Sequence, residues 1–341
     1  MTISLIEYTE AGNLLTHAEA EALMEELLSG RVGTREIVRL LGAMNTRPVQ
    51  VAELTGFATA MRRQAIGPFA AGETLPERLV DTCGTGGKTA PTFNISTAAA
   101  FVAAAAGARI AKHGNRGMSS RSGSVDVLEA LGVHVDVPMD RQAHAIRELG
   151  IAFLFAQLAH TSMRHAAEAR KTIGVRTVFN LLGPLTGPAR APKQVAGVAS
   201  EELVDVIAAA LAELGTEHAF VVHGAGGIDE ISPAGETLIA EVSEGLVKRF
   251  TVTPEDFGVA RAPVESIGGG SPVENAATIR RVLEGERGAK RDVVVMNAAA
   301  ALVAAGVAEN FREGAQLAAA AISSGAAKEK LAALVEFTNA G

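Results

Sequence analysis

Only one cysteine, Cys83, occurs in the chain, which excludes an intramolecular disulfide framework and a cysteine-rich zinc site. Cys83 reads as a small packing residue rather than a nucleophile, since the sequence alone places no base beside it. Tryptophan is absent and aromatic residues make up 4% of the chain, an alanine- and valine-rich composition that suits a compact α/β protein. No uninterrupted apolar run reaches the ~20 residues of a membrane-spanning helix, and no basic-plus-apolar leader is visible. A cytoplasmic protein without a membrane partner is therefore expected. Positive charge is in deficit, with 31 Lys and Arg against 38 Asp and Glu and a net charge of −7. That balance opposes a general nucleic-acid-binding surface. Internal repeats and low-complexity linkers are also missing.

What is present is local clustering. Lys88, Lys112, Arg116, Arg121, Arg170, Lys171 and Arg176 gather the positive charge of an acidic chain, as a pocket for an anionic small molecule would. The stretch 81–124 reads DTCGTGGKTAPTFNISTAAAFVAAAAGARIAKHGNRGMSSRSGS, two glycine-rich loops separated by an alanine run. The first loop, Cys83 to Gly87, follows a strand-like Leu79-Val80 and has a bare backbone whose amides can approach a phosphate. Asn94, Ser96 and Thr97 stand at the entrance of a helix spanning Ala98 to Ala106, where unpaired N–H groups and the positive dipole end favour an anion. A short strand, Arg109 to Ala111, then delivers Lys112, His113, Asn115, Arg116, Ser119 and Ser120 to the same side. Two donor-rich loops on one βαβ unit imply a ligand with more than one phosphate. Gly87-Lys88-Thr89 is not the end of a Walker A loop, because Thr82 stands where that loop needs glycine and Pro91 and Phe93 precede the helix.

With 341 residues the chain has room for two domains. Residues 1–70 read as helices: Thr16 and Glu19 form a capping box ahead of Ala20, Leu23, Met24 and Leu27 at helical spacing. From Leu79 onward strands alternate with helices, with strand signals at 133–137, 151–155, 194–199, 219–222 and 292–296. The runs 236–242 and 246–252 flank Ser243-Glu244-Gly245 as a hairpin. The expected fold is α/β, a small N-terminal helical domain (1–75, joined by part of 175–192) plus a larger α/β domain (76–174 and 193–341). The latter holds a central mixed, mainly parallel sheet covered by helices.

Asp229-Glu230 follows a strand and a glycine-rich turn, the sheet end at which ligands of open α/β folds gather. Hard oxygen ligands without a His or Cys partner suit Mg²⁺, and Ser96 can add a hydroxyl. His113 is read as lining or orienting the site rather than as a base. Arg170 is the group suited to a substrate carboxylate, since a guanidinium binds it in a fork, although on residues alone it is a solvated helix arginine.

GTGG, TFNIST and KHGNR, in this order and spacing, resemble the anthranilate phosphoribosyltransferase family, and the likeness extends through AEARKTIGVRTVFNLLGPLTGPA and VVHGAGGIDEIS. The resemblance implies transfer of the phosphoribosyl group of phosphoribosyl diphosphate (PRPP) to anthranilate in tryptophan biosynthesis. It also implies one or two Mg²⁺ per subunit and a homodimer formed through the helical domain. It assigns PRPP to Gly84, Gly87, Lys88, Thr92, Asn94, Ile95, Ser96 and Thr97, to Lys112, His113, Gly114, Asn115, Arg116, Gly117, Met118, Ser119 and Ser120, and to Ser124. Gly84, Asn115 and Arg170 match anthranilate positions, Ser96, Asp229 and Glu230 match metal ligands, and Lys112, Asn115 and Arg170 are the expected catalytic groups. Two positions depart from the family: Lys88 stands where Asp is usual after GTGG, and Gly187 where Asn is usual before the last proline of GPLTNP. A pyrimidine nucleoside phosphorylase, a transferase for another aromatic acceptor and a non-catalytic nucleic-acid-binding relative are the alternative readings.

Overall fold

The structure, a computed structural model, describes residues 2–87, 90–117 and 121–340. Four helices open it: α1 (Thr2–Glu10), α2 (His17–Leu28), α3 (Thr34–Met44) and α4 (Val51–Gln64). The capping box at Thr16 and Glu19 forms as expected, and α2 buries Ala20, Leu23, Met24 and Leu27. The α/β part runs β1 (Leu79–Asp81), α5 (Ile95–Ala105), β2 (Arg109–Gly114), α6 (Ser124–Leu131), α7 (Met139–Glu148), β3 (Ile151–Phe155), α8 (Ala156–Ala159) and α9 (Ala167–Ile173). It continues with β4 (Lys193–Gly197), α10 (Glu202–Glu213), β5 (His218–Gly224), β6 (Thr237–Ser243) and β7 (Leu246–Val252), then α11 (Pro272–Leu283), α12 (Ala289–Ala305), α13 (Phe311–Ser323) and α14 (Ala326–Asn339).

The seven strands form one mixed sheet in the order β3-β2-β1-β4-β5-β6-β7. β1 to β5 pair in parallel, and β6 and β7 are added antiparallel as the expected hairpin. Its turn puts Glu244 and Gly245 at φ +52° and +77°, the left-handed pair a two-residue hairpin requires. Strand residues alternate between the two faces of the sheet, and on one face Leu79, Ala111 and Ala152 of β1–β3 pack with Ala145 and Ile146 of α7 in a small cluster of their own. Phe220 and Val222 face α5 and α11–α14, whereas Ala219 and Val221 face α10 and the N-terminal helices. The strand order reverses on either side of β1, so the loops after β1 and β4 diverge and leave a crevice at their carboxyl ends.

Two strand expectations are corrected. Residues 292–296 belong to the 17-residue helix α12, which is buried from Val293 to Leu302 against α5 and α13. A helix enclosed on every side loses its amphipathic period, so its Val293-Val294-Val295 run imitates a buried strand. Residues 133–137 do alternate, with Val133, Val135 and Val137 buried, but they join no sheet. The His134 N–H donates to Thr338 Oγ1 of α14 instead of a neighbouring strand. Between β3 and β4, a 3-10 turn at Thr161–Ala166 leads into α9.

Candidate active site

The loop after β1 lies in the crevice, held from below by β4. Thr85 N–H donates to Gly197 O at 2.8 Å, and Gly84 packs so closely there that a Cβ would lie 2.8 Å from the same oxygen. Gly86 and Gly87 take φ of +63° and +87°, which only glycine adopts freely. From the opposite wall Arg176 donates to the carbonyls of Thr85 and Gly86, each at 3.0 Å. Helix α5 starts at Ile95, earlier than its alanine run suggests. Asn94, just before it, accepts from Ser122 Oγ (3.1 Å) and Asn275 Nδ2 (2.9 Å) through one oxygen, so three separate segments meet on a single amide.

The second loop leaves β2. Lys112 is 3% exposed, and its ammonium donates to Thr82 O at the root of the first loop. Asp81 accepts His113 N–H at 3.0 Å, and burial pushes its carboxyl up to about 6 against the opposing pull of Lys112. Gly187 sits over this acid, where a Cβ would lie 2.8 Å from Asp81 Oδ2, so that departure touches the site's interior as well as its loop. Ser124 Oγ accepts Asn115 N–H (3.2 Å), and Asp126 accepts the N–H groups of Gly117 and Gly123 at 2.9 and 2.8 Å. Arg116 lines the site, but its guanidinium is held by Glu129 with two bonds of 2.7 Å. Lys88, Met118, Ser119 and Ser120 lie outside the described residues.

His113 and His160 lie 5.2 Å apart, ring to ring. His113 donates from Nδ1 to Gly183 O and His160 from Nε2 to Thr186 O, both at 3.0 Å. Burial, reinforced by His160, lowers His113 to about 3, and burial lowers His160 to about 4. Both are thus neutral imidazoles near pH 7. Below about pH 6.5 the unfolded chain takes up these protons first, so stability falls with pH until the folded values are passed. At pH 5 the two histidines should together cost about 4 kcal/mol, while the raised Asp81 returns about 1.4 kcal/mol. Denaturant titrations at pH 7.5 and pH 5 should accordingly differ by about 2–3 kcal/mol, and His160→Asn should remove about 2 kcal/mol of that difference.

The third wall is the loop after β5. Glu230 is 8% exposed and accepts Ser96 N–H through Oε1 at 3.2 Å, joining the acidic pair to the start of α5. Asp229 packs over Gly197, where a Cβ would stand 1.7 Å from Asp229 O. Among the described residues no group of three or more His, Cys, Asp and Glu gathers as a metal cluster. Two carboxylates and one hydroxyl are a partial oxygen set, which fits Mg²⁺ completed by phosphate oxygens and water. Cys83 is buried and its thiol is pushed up by that burial, so it stays protonated.

These walls enclose a cavity of about 1380 Å³. Every described candidate residue except the buried Ile95 lines it. Thr92 Oγ1 and Thr97 Oγ1 are buried there without a hydrogen-bond partner among the described residues, as groups awaiting a polar ligand would be. Arg170 also lines it, its guanidinium carbon over the Phe179 ring at 5.8 Å from the centroid, as do Met61 of α4 and Arg164. Gly197, Asn275 and Asn297, which no local motif marks, also line the cavity. Asn297 had one available signal, a single amide inside an apolar helical run.

A helical bundle beside a mixed sheet, with glycine loops and an acidic pair converging at the strand reversal, is the architecture of a class of glycosyl-transferring enzymes. The sequence matches the glycosyl transferase family a/b domain over residues 76–328 and the helical bundle domain of the same family over residues 4–65. Anthranilate phosphoribosyltransferase from Pelotomaculum thermopropionicum is 52% identical over 338 residues, covering 99% of this chain and 97% of the relative. The crystal structure of the Thermus thermophilus enzyme of that name superposes with a TM-score of 0.92 at 43% identity over the whole of both chains. The Saccharomyces cerevisiae enzyme in complex with PRPP and Mg gives 0.87 at 28% identity, covering 99% of this chain and 98% of that one. The chain belongs to the anthranilate phosphoribosyltransferase family.

Proposed function

We propose that this protein transfers the 5-phosphoribosyl group of PRPP to the amine of anthranilate, releasing diphosphate, as a Mg²⁺-dependent step of tryptophan biosynthesis. The observation that carries the reading is the convergence of the two glycine loops, Asp229-Glu230 and Arg170 on one cavity large enough for two substrates. The yeast relative solved with PRPP and Mg supports the donor and the metal.

Loop amides, Asn94, Ser96, Thr97 and residues Lys112 to Gly117, with Ser124, hold the phosphates. The buried charge of Lys112 favours the departing diphosphate, so positive charge can develop at the anomeric carbon. Mg²⁺, held by Asp229, Glu230 and Ser96, supplies further charge neutralisation when bound. Arg170 grips the anthranilate carboxylate while Gly84 and Asn115 set the amine in line for attack from the opposite face. The neutral imidazole of His113 orients the loop through Gly183 and takes no proton from the amine, which loses it late.

Lys88, in place of an acid, contacts the diphosphate and stands in for charge a second metal would bring. Lys88→Asp should therefore raise the PRPP KM and steepen its Mg²⁺ dependence by about 10-fold, and unchanged Mg²⁺ titrations would refute that role. The helical part, 1–75 with part of 175–192, forms a homodimer contact in the cytoplasm; exposed Ile3 (58%), Tyr8 (44%) and Leu14 (48%) support this. Mass spectrometry of the reaction products tests the acceptor. N-phosphoribosyl anthranilate is expected, whereas free base released from a pyrimidine nucleoside and phosphate would favour the phosphorylase reading.

A further inference from the structure

We infer that Asn297 is the positioning residue that fixes the Asp229-Glu230 loop in register for the metal and diphosphate end of the donor, an inference that rests on the PRPP reading above. Asn297 is the one polar side chain in α12 between Val293 and Ala305, and it is 4% exposed. An amide in such a place is costly unless its hydrogen bonds are made. Here they are. Oδ1 accepts Ile231 N–H at 2.9 Å, and Nδ2 donates to Ile231 O at 3.0 Å and to Val293 O at 2.9 Å. Both amide hydrogens are spent inside the protein, so the residue borders the cavity without a donor left to offer a ligand.

Its two bonds to Ile231 clamp both polar groups of the residue that directly follows Glu230. Ile231 is fully buried. The same loop is pressed onto two strand ends, with Asp229 O over Gly197 and Glu230 O 2.3 Å from where a Cβ of Gly224 would stand. Two glycines set its height above the sheet. Asn297 fixes the residue that follows the two acids, and thereby how Asp229 and Glu230, which both line the cavity, are presented and which oxygen meets Ser96 N–H. Asp at 297 would keep an acceptor for Ile231 N–H but oppose two carbonyl oxygens. Ser would be too short to hold both groups of Ile231.

The test uses full-length Asn297→Asp and Asn297→Ser with Mn²⁺ as a spin probe, titrated by electron paramagnetic resonance in the presence of PRPP and without anthranilate. Mn²⁺ should bind about 10-fold or more weakly to the variants, with the PRPP KM raised in parallel and the anthranilate KM changed less than about 2-fold. A natively folded variant with wild-type Mn²⁺ affinity overturns the inference, as does an anthranilate KM that rises as far as the PRPP KM. Should neither variant fold, hydrogen exchange on the wild-type protein decides. The Ile231 amide should be protected before any ligand is added, and free exchange that slows only with PRPP and Mg²⁺ contradicts the clamp. A wild-type protein that binds Mn²⁺ with PRPP but leaves anthranilate unconsumed removes the acceptor assignment and leaves this inference standing. One that binds no Mn²⁺ with PRPP overturns it.

Discussion

Arg170→Ala is expected to raise the anthranilate KM about 30–150-fold, the loss of roughly 2–3 kcal/mol from a charge-assisted fork to a carboxylate. The PRPP KM should move less than about 3-fold, because the reading proposed above assigns the donor to other residues, those after β1 and around the end of β2. The residue is well placed for this. It leaves α9 partly buried, burial lowers it below the ordinary guanidinium range, and its guanidinium carbon lies over the Phe179 ring. Lysine should not restore the wild-type KM, since it offers a point charge where a planar fork is required. Initial rates with each substrate varied at saturation of the other decide the matter; equal rises in both KM values would count against the assignment.

Gly197→Ala should be as damaging without removing any functional group. One added methyl would stand 1.7 Å from Asp229 O and 2.6 Å from its carbonyl carbon, and these are backbone atoms that cannot turn aside. Gly197 O also receives the Thr85 N–H, so a shift at this point displaces the acidic loop and the first glycine loop together. We expect kcat/KM for PRPP to fall about 10²–10³-fold and stability by about 1–3 kcal/mol, the usual range for an overpacked position. Kinetics paired with circular dichroism would separate the two effects. A variant with wild-type kcat/KM would show that the β4 end does not set the site.

The contrast between these two residues shows what could be read from sequence. The glycine loop at 83–87, the acidic pair and the hairpin carry their chemistry locally, in glycine, charge and alternation, whereas Lys112, His113 and Gly114, expected in the second loop, belong to β2, whose pairing with β3 runs on to Gly114. Gly197 carries no such local mark. Its importance comes from the order of the sheet, which brings β4 beneath two loops from distant parts of the chain. Asn94 was legible as a residue at a helix entrance, yet its partner Asn275 lies 181 positions away and no local pattern joins them. Arg116 counted correctly toward the positive charge of the segment, but Glu129, one helix further on, takes its guanidinium. The misread strand at 292–296 has a similar origin, because full burial of α12 erased the period that marks a helix.

PRPP-dependent loss of anthranilate fluorescence, followed on purified protein with and without Mg²⁺, is the decisive measurement for phosphoribosyl transfer to anthranilate. Rapid loss is expected when PRPP and Mg²⁺ are both present, none without PRPP, and a rate that collapses when the metal is chelated. Anthranilate that persists across a range of Mg²⁺ concentrations, on a protein that still binds PRPP, would contradict it and leave a phosphoribosyl donor site serving some other acceptor.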